Sequence, residues 1–232
     1  MKFELLPIVD TMVGLYQKPL NPQRFQAYLG LLEGGEKGEM KMPIVGFNPM
    51  AKDHVLDKLL AMKALNAEGI MQEAISAVNE KASKLASNRV IKVAFNLADD
   101  LAGGWTNRFT TDFDSKFKIN ALVSRNFCTP FFWTSEEITE QLIKTRTAEY
   151  AYRTIYWLEN PKPTTLGDHV KQELFVAKNT NPASSGFDTT AAWYENNAYS
   201  EDYNLIFNFF YGDAASRILG FRTFGCKGFF NE

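Results

Sequence analysis

A segment in the middle of the chain concentrates side chains that could bind or activate a small molecule. Its candidate ligand-binding residues are Asp99, Asp100, Trp105, Arg108, Asp112 and Asp114. Closely spaced carboxylates can hold a hard cation or share a proton, and an arginine beside them can make two parallel hydrogen bonds to an anion. Because aspartate, asparagine and glycine are also common turn formers, the alternative is that this segment only forms turns.

The chain contains two histidines, and each is followed by a carboxylate at helical spacing. Asp57 lies three residues after His54, and Glu173 lies four residues after His169. These spacings put an imidazole and a carboxylate on one helix face, so the four side chains could bind a metal if the two helices met. The spacing of a metalloprotease HExxH motif is absent. The sequence therefore favours neither a metal nor a cofactor, and a metal site of these four residues is the alternative.

The two cysteines, Cys128 and Cys226, are expected to be free thiols. A low cysteine content is typical of a reducing compartment, and a lone cysteine commonly serves as a small buried apolar side chain. Nothing near Cys128 in the sequence supplies the base that a cysteine nucleophile needs. The sequence thus assigns no catalytic residue and leaves open whether the protein is an enzyme.

Composition and charge narrow the classes of function. The 232 residues carry 25 Lys and Arg against 27 Asp and Glu, and 45% are apolar, which is typical of a folded domain with a sizeable core. The basic residues are scattered, whereas nucleic-acid binding usually needs a positive patch. No apolar stretch is long enough to cross a bilayer, and the first residues lack a secretory signal pattern. We therefore expect a soluble cytoplasmic protein that binds neither nucleic acid nor membrane.

Asparagine–proline pairs indicate helix starts in the N-terminal part of the chain. Asparagine is a good N-cap, and proline fits the first position of a helix because its missing N–H would be unpaired there. The sequence therefore predicts that helices begin at Asn21 and at Asn48. An apolar stripe at helical spacing predicts a further helix from about Ala67 to Ala86.

The hydrophobic period changes from helical to two near residue 90. Alternating apolar residues predict strands at Val90–Leu97 and Phe117–Val123. Further strands are predicted at Trp105–Thr111 and at Phe127–Trp133, the last at a sheet edge because a proline within it cannot donate a hydrogen bond. Connections this short favour antiparallel pairing.

Caps and aromatic residues characterise the C-terminal part. The order Thr-Ser-Glu-Glu at 134–137 matches a capping box, which predicts that the longest helix begins there and runs to about Glu159. Thr165 and Asp168 predict the start of another helix. From Trp193 the chain is rich in aromatic residues, which could pack in a core or form an oligomer interface.

These patterns together predict an α+β fold in a single domain of residues 1–232. Several helices would pack on one face of a small antiparallel sheet whose strands lie within about residues 90–133. The domain would have three parts: a helical part (1–88), the sheet (89–133) and a helical, aromatic-rich part (134–232).

Two functions from different classes are compatible with this prediction. The first, which the sequence favours, is a non-catalytic binding or assembly module, a homo-oligomer through its aromatic C-terminal region. The second is an enzyme or small-molecule binder with an acidic and aromatic pocket at the loops of the sheet, where binding residues are commonly found. The expected partner is accordingly a second copy of the chain, another protein or a small molecule that the sequence does not identify.

Overall fold

A computed structural model describes residues 1–34, 36, 39–85, 87–101, 106–180 and 192–230. The chain separates into two compact units, Met1–Thr154 and Ile155–Glu232, and the single domain stays a prediction. The elements of the first unit are β1 (Lys2–Leu5), α1 (Val9–Tyr16), α2 (Pro22–Leu32), α3 (Asp53–Ala64), α4 (Ala67–Ala82), β2 (Val90–Val93), β3 (Asn96–Ala98), α5 (Arg108–Phe117), α6 (Asn120–Ser124), β4 (Phe127–Cys128) and β5 (Phe131–Trp133). Helix α7 (Glu140–Glu159) crosses the boundary, and the second unit contains α8 (Leu166–Thr180), α9 (Ala192–Asn197) and α10 (Tyr203–Ile218).

The described strands of the first unit pair in parallel. Strand β1 pairs with β2, and β2 with β4, while β3 pairs with β5. Backbone hydrogen bonds continue between the two sets of strands, since Ala94 N donates to Cys128 O at 3.1 Å and Asn96 N donates to Pro130 O at 2.7 Å. The α+β content agrees with the prediction, but the predicted antiparallel sheet is wrong because every described strand pair is parallel.

The error in strand direction arises in residues 106–126. The predicted strand Phe117–Val123 is wrong, because α5 ends at Phe117 and α6 follows it. The predicted strand Trp105–Thr111 begins at a residue outside the described ranges, and its remainder enters α5. Parallel strands need a crossover connection, usually a helix, and α5 and α6 provide that connection between β3 and β4.

Helix α5 has local signals that a period of two does not capture. The side chain of Asn107 accepts a hydrogen bond from Thr110 N at 3.1 Å and caps the helix. The rings of Phe113 and Phe117, four residues apart, have centroids separated by 4.9 Å, as expected for neighbours on one helix face. Ala121, which the predicted strand Phe117–Val123 would place on the same face as Phe117, is exposed in α6.

The strand predicted at Val90–Leu97 is present as β2 and β3. Residues on both faces are buried here, for example the adjacent Asn96 and Leu97, which is typical of a parallel strand covered on both sides. Strand β4 lies at an edge of the three-stranded sheet, in agreement with the edge position predicted from Pro130.

Helix starts were predicted correctly where the cap is local. Asn21 Oδ1 accepts hydrogen bonds from Gln23 N and Arg24 N, so α2 begins where the sequence predicts. The helix predicted at Asn48 is wrong, because Asn48 Oδ1 accepts from Met50 N in a turn and α3 begins only at Asp53.

The capping box at 134–137 does not begin a helix. Helix α7 begins at Glu140, and Thr139 Oγ1 accepts a hydrogen bond from Leu142 N at 3.1 Å. The side chain of Glu136 instead accepts a hydrogen bond from Trp133 N at 2.7 Å, which stabilises a turn directly after β5. The prediction is wrong because the Glu136 carboxylate accepts its hydrogen bond from the backbone at the end of β5 and not from the first turn of a helix.

The second unit is built around the aromatic residues of α10. Phe207 and Phe210 are fully buried, and the chain after α10 folds back along the helix, with Phe229 N donating to Phe209 O at 2.9 Å. Gly212 has a φ of 79°, and a side chain there would approach Lys227 O to 2.2 Å. The close return of the chain therefore requires glycine at this position.

Within the described ranges, each helix is either too short or too polar to traverse a lipid bilayer.

Candidate active site at the carboxyl ends of two parallel strands

Polar side chains from β3 and β5 meet because the two strands are paired in parallel. The last residues of the pair, Ala98 and Trp133, are register partners. The chain continues into Asp99 and Asp100 after β3, and into Thr134 and Ser135 after β5. In open parallel sheets ligands bind beyond the carboxyl ends of the strands, so this edge is the position where the fold favours a site.

Asp100 joins the two strand ends. Its Oδ1 accepts a hydrogen bond from Ser135 N at 3.0 Å, and its Oδ2 accepts from Ser135 Oγ at 2.6 Å. Its side chain is 3% exposed. Burial raises the pKa of Asp100, but the hydrogen bonds from Ser135 and from the Arg108 guanidinium outweigh burial and hold this pKa below the usual range of an aspartate. The carboxylate therefore stays ionised, and its charge is matched by a cation.

That cation is Arg108, at the first position of α5. Its Nη1 donates to Asp100 Oδ2 and to Ser135 Oγ, both at 2.9 Å. The guanidinium carbon lies 5.2 Å from the centroid of the Trp133 ring, a cation–π distance. The side chain is nevertheless 43% exposed. Arg108 is thus a fixed cation that remains accessible to solvent.

Glu136 completes the turn after β5. Its Oε1 accepts hydrogen bonds from Trp133 N and from Arg146 Nη1, and its backbone carbonyl accepts from Lys58 Nζ at 2.9 Å. Arg146 belongs to α7 and Lys58 to α3, so two helices are anchored to this turn. The network positions the start of α3 against the strand ends.

The start of α3 carries His54, which is bonded to Asp99. His54 Nε2 lies 2.9 Å from Asp99 Oδ1, and Thr134 Oγ1 donates to the same oxygen at 3.1 Å. The Asp99 side chain is 4% exposed and the His54 side chain 35%. A carboxylate can only accept hydrogen bonds, so Nε2 carries a proton, and in the neutral imidazole the lone pair is on Nδ1. A buried carboxylate thereby orients a histidine that solvent can reach.

Two of the predicted ligand-binding residues lie elsewhere. Asp112 and Asp114 are on α5, where they pair with Lys116 at 2.6 Å and with Lys118 at 2.8 Å, each at i,i+4. The prediction placed both carboxylates on one side of a strand, but residues two apart on a helix point in different directions. Trp105 lies outside the described residues. The structure therefore brings Asp99, Asp100 and Arg108 together, and it places Asp112 and Asp114 outside this cluster.

The predicted metal ligands do not form a metal centre in the described part of the chain, which holds no group of three or more His, Cys, Asp or Glu side chains arranged for a metal ion. His54 is bonded to Asp99 instead, and Asp57 is exposed on α3. His169 and Glu173 are buried on α8 in the second unit. Burial lowers the pKa of His169 to about 4, against the opposing charges of Glu173 and Asp168.

Sequence reasoning missed Thr134, Ser135 and the link between His54 and Asp99. The signal for the first two was present, because each of two buried strands is followed directly by two polar residues. That pattern predicts a shared site only if the strands run in the same direction, since antiparallel strands end at opposite edges. Nothing local in the sequence indicates that His54 reaches a residue 45 positions later.

Comparison with protein-family models, curated proteins and solved structures found no match to this chain. Any function must therefore be argued from the chemistry of the site. The arrangement offers a proton acceptor at His54 and an accessible, fixed positive charge at Arg108, joined by buried carboxylates.

Proposed function

We propose that this chain is an enzyme that acts on a small polar molecule at the carboxyl ends of β3 and β5, with His54 as general base and Asp99 as its positioning residue. The observation that carries the proposal is the 2.9 Å contact between His54 Nε2 and Asp99 Oδ1, in which the carboxylate is buried and the imidazole is partly exposed.

The contact fixes both the tautomer and the orientation of the imidazole. Because Nε2–H donates to Asp99, the lone pair of Nδ1 is available to accept a proton. Within the described residues, Nδ1 of His54 has no hydrogen-bond partner. A carboxylate in this position also stabilises the imidazolium that forms when the base takes a proton.

The reaction class that follows is proton abstraction, either from the substrate or from an attacking water. A positioned general base contributes roughly 10²–10⁴-fold to the rate of such a step. Thr134 supports the base indirectly, since its hydroxyl bonds Asp99 Oδ1. We therefore assign proton transfer to His54, positioning to Asp99, and support of Asp99 to Thr134.

The alternative function, a non-catalytic assembly module that associates through the aromatic C-terminal region, stays a prediction. The aromatic rings of that region contact one another inside the second unit; for example, Phe207 and Phe210 are fully buried. Those two rings offer no surface to a partner, whereas Tyr199 of the same region is 91% exposed. We propose the enzyme first because the contact between His54 and Asp99 has a specific chemical use.

The test uses the small number of histidines in the chain. With two imidazoles, a ¹⁵N-labelled sample gives two ring spin systems in an NMR spectrum. We expect the neutral form of one of them, assigned to His54 with the variant His54→Gln, to be the Nε2–H tautomer. A panel of sugars, sugar phosphates, amino acids and organic acids is then added, and compounds that shift the His54 signals are followed by mass spectrometry for conversion.

We expect at least one compound to be converted, with a rate that falls roughly 10²–10⁴-fold in His54→Gln. Asp57→Asn is the matched control, because Asp57 lies exposed three residues further along the same helix, and this variant should keep the wild-type rate. A panel in which no compound shifts His54, or a rate that His54→Gln leaves unchanged, contradicts the proposal.

A further inference from the structure

We infer that the molecule bound at this site is an anion, a carboxylate or a phosphate, and that the outer edge of the Arg108 guanidinium binds it. This inference rests on the proposed function, because it names the substrate class of the same site. It assigns Arg108 the role of determining specificity, separate from proton transfer at His54.

The guanidinium is held in place before any ligand arrives. Its Nη1 donates hydrogen bonds to Asp100 Oδ2 and Ser135 Oγ, and its carbon lies 5.2 Å from the centroid of the Trp133 ring. A flexible arginine loses side-chain entropy when it binds an anion, whereas a pre-positioned one has lost that entropy on folding. A fixed but accessible cation is therefore suited to recognition.

The other edge of the guanidinium remains available. Among the described residues, neither Nε nor Nη2 of Arg108 donates a hydrogen bond, and the nearest carboxylate oxygen to Nη2 is Glu136 Oε2 at 3.9 Å. Glu136 is itself paired with Arg146 through its other oxygen. The Nε and Nη2 groups can thus form the two parallel bonds by which arginine recognises a carboxylate or a phosphate.

The charges around the site do not repel an anion. In the described part of the network, Asp100 is paired with Arg108 and Glu136 with Arg146, and Lys58 Nζ adds a third positive charge at the backbone carbonyl of Glu136. An incoming anion therefore meets no excess of carboxylates. Arg108 is the more exposed of the two arginines, since 43% of its side chain is exposed against 20% for Arg146. The accessible positive charge therefore lies on Arg108.

Arg108 and His54 are parts of one connected network. Thr134 Oγ1 lies within hydrogen-bond distance of both Asp99 Oδ1 and Asp100 Oδ1, and these two carboxylates hold His54 and Arg108. An anion on Arg108 is therefore held by the same strand ends that hold the base. The substrate we infer carries its anionic group on one part and the acidic proton on another.

The test titrates wild-type protein with inorganic phosphate and, separately, with acetate at low ionic strength. The readouts are the Nε–H signal of Arg108 and the ring signals of His54. We expect saturable shifts, weakened at least tenfold in Arg108→Gln. The variant Arg108→Lys keeps a cation beside Asp100 but lacks the planar fork, so it should also bind the anions more weakly. It replaces Arg108→Gln in the titration if loss of the charge impairs folding.

Arg125→Gln is the matched control. Arg125 lies two residues before β4 and therefore near the amino end of that strand, away from the proposed site; this variant should keep wild-type affinity. The inference is overturned if neither anion gives a saturable shift, or if Arg108→Gln and Arg108→Lys bind both anions as wild type does. A neutral compound that is converted in a His54-dependent way, without binding of either anion, overturns this inference and leaves the proposed function intact.

Discussion

Two adjacent residues in this chain, Asp99 and Asp100, have different principal partners. Asp99 contacts His54, while Asp100 contacts Arg108 and Ser135. One hydroxyl, that of Thr134, lies between the two carboxylates. The types of these residues indicated a polar site, whereas the contacts that separate a base from an anion-binding cation depend on where each side chain points.

The two cysteines provide a prediction at the same scale. Both are free, and burial raises the pKa of Cys128 to about 12 and that of Cys226 to about 11. Because the thiolate is the reactive form, both thiols should be alkylated by iodoacetamide at neutral pH roughly a hundredfold more slowly in folded protein than in urea. Mass spectrometry of the modified peptides measures both rates, and similar rates in the two conditions would refute the prediction.

At the scale of elements, local signals were reliable only where the partner is also local. The cap of α2 by Asn21 involves residues two and three positions away, and the cap of α8 joins Thr165 to Asp168. The strand predicted at Val90–Leu97 was correct because the alternation of apolar residues is itself local, although the strands that pair with it are distant in the chain. The predicted strand direction was wrong because an alternation of apolar residues with a period of two is common to parallel and antiparallel strands.

The edge strand β1, which the sequence did not predict, has a side chain in place of a neighbouring strand. Phe3 N donates to Asn79 Oδ1 at 2.7 Å, and Asn79 Nδ2 donates to Phe3 O at 2.8 Å. Alternate residues of a strand direct their backbone groups to opposite sides, so Asn79 satisfies the side of β1 that faces away from β2. Blocked edges reduce the pairing of strands between molecules.

Replacing Asn79 with alanine should therefore destabilise the protein. Two hydrogen bonds to the strand are lost, and at about 1 kcal/mol each the free energy of unfolding should fall by about 2 kcal/mol. Urea denaturation followed by circular dichroism measures the change. Ser76→Ala, one turn earlier on the exposed face of α4, is the control and should have little effect. Equal stabilities of the two variants would show that the Asn79 contact contributes nothing.

At the scale of the whole molecule, the two units differ in the chemistry they contain. The unit of residues 1–154 contains the parallel strands and the His54 site, whereas the unit of residues 155–232 contains helices, an aromatic core and the buried histidine His169. A buried neutral histidine makes folding dependent on pH, because the unfolded chain can bind a proton that the folded chain excludes.

The sign of that dependence follows from the lowered pKa of His169. The pKa of this histidine is 6.5 in an unperturbed chain and about 4 in the folded protein, so between these pH values the unfolded state binds more protons. Stability is fully present above about pH 6.5 and declines as the pH falls towards 4. Between pH 7 and pH 4, His169→Gln should lose about 3 kcal/mol less than wild type. Urea unfolding at a series of pH values measures this, and parallel curves for both proteins would contradict it.

The sequence by itself determined the classes of side chain available, the caps that depend on neighbours in the chain, and the position of the strand near residue 90. Only the tertiary structure decided that the strands run in parallel and that the residues after Ala98 and Trp133 meet. The physical reason is that a strand's hydrogen-bonding partner is distant in the chain. The alternation of apolar residues within a strand does not indicate which strand it pairs with or in which direction. The site depends on that pairing, because Asp99 and Asp100 meet Thr134 and Ser135 only when the two strands end at the same edge.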